Sequence, residues 1–61
     1  MSDDAATFRG RADQARADAA ASNLQNVRDR CERSAVTWEA MADRAERIAH
    51  ERAVRAAPRE A

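Results

Sequence analysis

The chain has 61 residues, of which 44% are hydrophobic, and its eleven arginines are balanced by eleven acidic residues with no lysine. A single cysteine excludes a disulfide scaffold, and no apolar run approaches the ~18 residues that a membrane-spanning helix needs. The zero net charge argues against non-specific binding driven by charge. A domain of about 60 residues is marginally stable by itself.

The N-terminal residues give no sign of a secretory signal. Asp3 and Asp4 follow Met1, and no apolar stretch comes after them. We therefore expect a cytoplasmic protein, and the mostly alanine apolar faces argue against membrane association.

Disorder is the alternative to a folded chain, because 36% of the residues are charged. The charges are interleaved rather than blocked, however, and Ala, Arg and Glu are strong helix formers. Ordered helices are therefore favoured.

The first predicted helix covers residues 3–21. Ser2 is a suitable N-cap, and the acidic residues that follow it suit the positive end of the helix dipole. Phe8 and three alanines then recur at helical spacing on one face, namely Ala12, Ala15 and Ala19. Gly10 interrupts this pattern at a cost of roughly 1 kcal/mol relative to Ala. It indicates either a close approach of another helix or local fraying.

A break is predicted at residues 22–23, since Ser22 and Asn23 favour helix caps over helix interiors. Asn23 is the predicted N-cap of a second helix over residues 24–56. The rival interpretation is one continuous helix that runs through the break. The tail 57–61 contains Pro58 and is expected to fray.

The second helix carries the clearest pattern in the sequence. An apolar stripe alternates spacings of three and four residues, and it consists of Leu24, Val27, Cys31, Ser34, Trp38, Met41, Ala45 and Ile48. We call these residues the heptad stripe. Alanines recur every seven residues beside it, at Ala35, Ala42, Ala49 and Ala56. Such a wide stripe is typical of a helix in a bundle. The apolar members of the stripe, together with Phe8, are the predicted core and interaction residues.

Folding the chain about the break predicts an antiparallel hairpin in which facing residues have numbers that sum to about 45. Phe8 then meets Trp38 near the open end. The second helix is the longer one, so residues 42–49 are expected to overhang the first helix with their apolar side chains uncovered. Because so small a core needs further support, we predict a homodimer of hairpins that forms a four-helix bundle.

The charged residues predict a solvated outer surface. Each of three acids precedes an arginine by four residues, the better orientation for a helical ion pair: Asp29 and Arg33, Asp43 and Arg47, Glu51 and Arg55. Five arginines in the C-terminal part are nearly cancelled by neighbouring acids: Arg44, Arg47, Arg52, Arg55 and Arg59.

No arrangement of residues indicates catalysis, a cofactor or a metal. Cys31 lies in the heptad stripe and favours a buried apolar role, with an interchain disulfide as the open alternative. His50 lies on the outer face without the companions that zinc requires. We therefore expect a non-enzymatic protein.

Two function classes remain. The first is a small helical interaction protein that self-associates and acts as an adaptor or regulator of a protein partner. The alternative is a nucleic-acid-associated helical module that uses its arginine-rich faces, although zero net charge argues against it.

Two short motifs carry a resemblance. Phe8-Arg9-Gly10-Arg11-Ala12 has the form F/Y-R-x-R-A, and the segment from Trp38 to Glu46 has the form W-x-x-M-A-x-R-A-E. With these motifs the chain resembles a group of short uncharacterised helical proteins from alphaproteobacterial genomes. The resemblance implies a bacterial origin and brings no activity, cofactor or site residue with it. Similar members have Thr and Pro at the positions of Asn23 and Gln25.

Overall fold

The chain forms two helices that pack side by side. In the computed structural model, which describes residues 4–58, α1 spans Ala5–Ala21 and α2 spans Gln25–Ala56, and no strand occurs among these residues. Arg9 forms an ion pair with Glu46, and Arg16 forms one with Glu39. A later residue of α1 is thus paired with an earlier residue of α2, so the two helices are antiparallel. The predicted all-α hairpin is confirmed, and the rival continuous helix is wrong.

The first helix begins at a side-chain cap. Asp4 Oδ1 accepts a hydrogen bond from the backbone N–H of Thr7 at 2.9 Å, which satisfies one of the N–H groups left without a partner at a helix start. The predicted cap, Ser2, lies outside the described residues. The Asp4 carboxylate also places negative charge at the positive end of the helix dipole.

An extended segment links the two helices. Ser22 and Leu24 have extended backbone angles, and Leu24 occupies the N-cap position of α2 without a side-chain hydrogen bond. The prediction that Asn23 caps α2 is therefore wrong. Instead, Ser22 Oγ accepts the Leu24 N–H at 3.1 Å, and Arg28 Nε donates to the Ala19 carbonyl oxygen at 3.2 Å. A side chain of α2 thus satisfies a carbonyl group at the end of α1.

The contact between the helices is built on small side chains. The buried residues within 4–58 are Phe8, Ala12, Ala19, Ala35 and Ala42, each at most 8% exposed. Ala12 and Ala19 are seven residues apart on α1, as are Ala35 and Ala42 on α2, so each pair lies on one face of its helix. We call these four alanines the alanine seam. Methyl groups at the contact allow the helix axes to approach closely.

The seam lies to one side of the heptad stripe. Ala35 and Ala42, predicted to flank the stripe, are buried, whereas Met41 is 39% exposed and Leu24 is 62% exposed. Successive helical residues point about 100° apart, so Met41 faces away from the contact that covers Ala42. Since only small side chains fit where two axes approach closely, the alanines rather than the larger stripe residues occupy the line of contact.

The register differs from the predicted one on the side of the contact that carries the ion pairs. Numbers that sum to about 45 would place residue 16 beside residue 29, but Arg16 Nη1 lies 2.7 Å from Glu39 Oε1. On the other side of the contact, the pairing of Phe8 with Trp38 agrees with the predicted sum.

Residues 42–48 pack beside α1, so the predicted overhang is wrong for them, whereas Ala49 is exposed as predicted. Ala42 is fully buried and Ile48 is half-buried. Ile48 and Ala49 line a groove together with Asp4 and Ala5 from the start of α1. The shifted register therefore covers this part of α2, and the exposed turn 53–56 continues past it.

Gly10 lies on the exposed side of α1. A methyl group added at Gly10 would meet no atom within 4 Å, and α1 continues through this residue without a break. Neither close approach of α2 nor fraying accounts for the glycine. It only weakens the helix, because Gly is less favourable than Ala in a helix interior.

Candidate interaction surface

Charged side chains close one long edge of the helix contact. Arg9 Nη2 donates to Asp43 Oδ1 and to Glu46 Oε1 at 3.0 Å each, and Arg16 Nη1 donates to Glu39 Oε1 at 2.7 Å. The two arginines are seven residues apart, as are the two glutamates, so the same pair recurs on successive heptads. This edge is therefore sealed by polar groups that need no further partner.

The ion pair with Arg16 changes the ionisation of Glu39. The hydrogen bond from Arg16 holds the pKa of Glu39 below its ordinary value of 4.5, although partial desolvation opposes this effect. The positive charges of Arg16 and Arg9 lower the pKa further. Glu39 therefore keeps its charge to a lower pH than an unpaired glutamate does.

The ion pairs predicted along the outer face of α2 are absent from the described residues. Asp43 accepts from Arg9 of the other helix rather than from Arg47, and Asp29 accepts from Gln25 at 2.8 Å. The ion pairs that join α1 to α2 were not predicted from the sequence. The signal that could have revealed it is the matching seven-residue spacing of arginines on α1 and glutamates on α2.

The opposite edge of the helix contact is open. It is apolar near Phe8, whereas Arg11, Asp18 and Arg30 line its part nearer the link. A groove along it is lined by Phe8 of α1 and by Met41, Arg44, Ala45 and Ile48 of α2. Phe8 is buried at the base, whereas Met41 is 39% exposed. No charged pair among the described residues closes this edge, in contrast to the sealed one.

An aromatic pair joins the helices beside the groove. The rings of Phe8 and Trp38 stack with centroids 6.0 Å apart and planes inclined by 22°. The guanidinium carbon of Arg11 lies 5.2 Å from the centroid of the Trp38 ring, within the range of a cation–π interaction. The predicted contact between Phe8 and Trp38 is confirmed.

The predicted core and interaction residues fall into three classes. Phe8 is buried; Leu24 and Met41 are exposed; and the half-buried ones are Val27, Cys31, Trp38, Ala45 and Ile48. The structure brings Phe8, Met41, Ala45 and Ile48 to one groove, while Leu24 lies apart at the start of α2. The heptad stripe is thus a partly covered surface.

Cys31 and His50 stand apart from any reactive cluster. The Cys31 thiol is free and half-buried, in a second groove that Arg11, Asp18, Arg30 and Trp38 also line. His50 is exposed on α2. Among residues 4–58 no three His, Cys, Asp or Glu side chains are grouped so as to hold a metal ion.

The described helices also lack an apolar stretch long enough to cross a membrane. Comparisons with family models, with curated proteins and with solved structures find no match to this chain. The resemblance to short alphaproteobacterial proteins therefore stays a hypothesis, and the function must be argued from the surface itself.

Proposed function

We propose that this chain is a small non-enzymatic helical interaction protein that self-associates through the open apolar edge of α2 and acts as an adaptor or regulator of a protein partner. The observation that carries the proposal is the difference between the two edges of the helix contact. Arg9 and Arg16 seal one edge with carboxylates, while Met41 and the groove above Phe8 stay uncovered on the other.

The angle between the two faces of α2 supports a four-helix bundle. Met41 immediately precedes Ala42, and the two side chains point about 100° apart around the helix. Ala42 faces α1. Viewed down the axis of α2, the direction toward a helix packed on Met41 would therefore be nearly perpendicular to the direction toward α1. Neighbours of one helix in a four-helix bundle have this arrangement. Two hairpins joined through Met41 would therefore complete such a bundle.

The exposed area also favours association. The chain has an accessible surface of 5133 Å², whereas a compact monomer of this mass is expected to expose about 3,900 Å². The excess of about 1,200 Å² reflects the elongated two-helix shape, and it is larger than the ~800 Å² that each partner buries in a protein–protein interface of standard size. No large side chain among the described residues is fully buried, so a second copy would supply the core that the hairpin lacks.

The nucleic-acid alternative has less support. Arg9 and Arg16 are engaged by carboxylates of α2, and a module that binds phosphates needs a continuous basic face. Phosphate contacts would make affinity fall steeply with salt, whereas an apolar contact would not. Titration with a duplex at two salt concentrations separates the two functions.

The proposal is tested by Met41→Glu, which places a charge in the middle of the open edge. Sedimentation equilibrium over a range of concentrations is expected to show dimers of the parent chain and a dissociation constant about a hundredfold higher for the variant, because an unpaired charge is costly to bury. The melting temperature of the parent should also rise with protein concentration, as mass action requires.

Val36→Glu is the matched control. Val36 is 65% exposed on the outer side of α2, so the same charge there should leave the dissociation constant unchanged. Circular dichroism checks that both variants keep their helices. A parent chain that stays monomeric at every concentration would refute self-association.

A further inference from the structure

A row of mostly charged residues follows the open edge of α2. Arg30, Thr37, Arg44 and Glu51 recur every seven residues beside the heptad stripe. We call these four residues the edge row. Arg30 lines a groove that also includes Asp18 of α1, and Arg44 lines the groove at Phe8. The ion pairs within residues 4–58 join other side chains, so Arg30, Arg44 and Glu51 have no ionic partner inside the described hairpin.

Symmetry limits how a second copy can pack on this edge. When the two-fold axis is perpendicular to α2, the α2 helices of the two copies run antiparallel, and residues that face each other lie at equal distances on either side of the axis. The edge rows of the two copies then lie side by side along the contact, where charged flanking residues determine register and orientation. Each possible position of the axis predicts its own set of charge contacts.

We infer that the second copy docks antiparallel on α2 with the two-fold axis level with residues 39–41, and this inference rests on the self-association proposed above. Arg30 of each copy then lies opposite Glu51 of the other, which forms two ion pairs for each dimer. Trp38 faces Met41 of the second copy on both sides of the axis. Sulfur–aromatic contacts of this kind are favourable.

Other positions of the axis fit the seven-residue spacing equally well but give poorer contacts. An axis level with residues 36–37 would place Arg30 opposite Arg44 of the second copy, and this repulsion would occur twice. An axis level with residues 32–34 would give Arg30 only Thr37 as its neighbour, and it would leave Ile48 and the groove at Phe8 outside the contact. An axis level with residues 47–48 would pair Arg44 with Glu51 twice, but only residues 39–56 of α2 would overlap and Trp38 would lie outside the contact. Charge complementarity and the length of the overlap together therefore favour the axis at residues 39–41.

The register is tested by reversing the charges. Arg30→Glu and Glu51→Arg, made singly, should each raise the dimer dissociation constant about tenfold, because each creates two like-charge contacts for each dimer. The double variant that carries both changes should return to within about threefold of the parent. These differences should shrink in high salt, which screens exposed charges. Arg33→Glu, on the outer face, is the control and should leave the constant unchanged.

The outcomes separate this inference from the function on which it rests. A dimeric parent whose dissociation constant does not respond to the single reversals, or whose double variant is as weak as the single ones, would overturn the register while self-association stands. A parent that remains monomeric at every concentration would overturn both. Circular dichroism of each variant checks that helix content is unchanged.

Discussion

At the scale of single residues, Trp38 connects the two helices at the open edge. Its ring stacks on Phe8 of α1 and carries the Arg11 guanidinium on one face. Aromatic stacking and cation–π contacts add to the apolar area that the ring buries. Because the alanine seam offers only methyl groups, this cluster supplies most of the bulk in the contact.

Trp38→Ala should therefore lower the free energy of unfolding by about 3 kcal/mol, the lower end of the range for a buried aromatic, since Trp38 is only half-buried. Urea denaturation followed by circular dichroism measures the change. Val36→Ala, at a position that is 65% exposed, should change it by less than about 0.5 kcal/mol. A Trp38→Ala variant as stable as the parent would mean that the aromatic pair does not hold the helices together.

Glu39 gives the second prediction at this scale. Its pKa is held below 4.5 mainly by the hydrogen bond from Arg16, so the pair adds stability at neutral pH, and this stability is lost as the pH falls through the lowered pKa. Arg16→Gln should return the pKa of Glu39 toward its ordinary value. The variant should be less stable than the parent at pH 7, and the difference should narrow in acid.

Carbon-detected NMR titration of the Glu39 carboxyl measures this pKa directly. Arg33→Gln removes an arginine from the outer face and is the control, in which the pKa of Glu39 should stay low. If Glu39 titrated at its ordinary value in the parent chain, the ion pair with Arg16 would not exist in solution.

At the scale of the elements, the alanine seam determines how the helices meet. Ala12 and Ala42 are completely buried, with Ala35 and Ala19 nearly so. Helices separated by such small side chains lie near the lower end of the usual range of about 8–10 Å. The long arginine and glutamate side chains can then reach across the contact on one side, as Arg16 and Glu39 do.

Ala42→Leu tests this packing. A larger side chain at a fully buried position forces the helices apart, and the free energy of unfolding should fall by about 1 to 3 kcal/mol. Ala40→Leu makes the same substitution two residues away at an exposed position, where both residues are good helix formers and the change should be within about 0.5 kcal/mol. Equal effects of the two substitutions, measured by thermal unfolding, would place Ala42 outside the contact.

At the scale of the whole molecule, the hairpin is a rod of 61 × 19 × 14 Å. Two helices side by side can bury only one face of each, and the remaining apolar surface of α2 stays in contact with water. The charged edge and the apolar edge of α2 make this rod asymmetric around its long axis. A partner that covers the Met41 side would therefore complete the core without disturbing the ion pairs of Arg9 and Arg16.

The sequence by itself determined the two helices, the break between them and the contact of Phe8 with Trp38. Helix propensity and periodicity act over a few residues, so the helices and the break are present in the local pattern of the chain. The contact of Phe8 with Trp38 followed from folding the chain about that break. The spacing of the heptad stripe also identified the apolar face of α2, although not how much of it α1 covers.

The tertiary structure alone decided the register, the position of the seam and the caps. The sequence offers two apolar rows on α2, one that includes Met41 and Ile48 and one that includes Ala42 and Ala49. Both rows have the same seven-residue spacing, so periodicity does not indicate which of them contacts α1. The ion pairs of Arg9 and Arg16 join residues whose numbers sum to more than the predicted 45. Close packing then selected the smaller side chains for the contact, because methyl groups allow the nearest approach of the two axes.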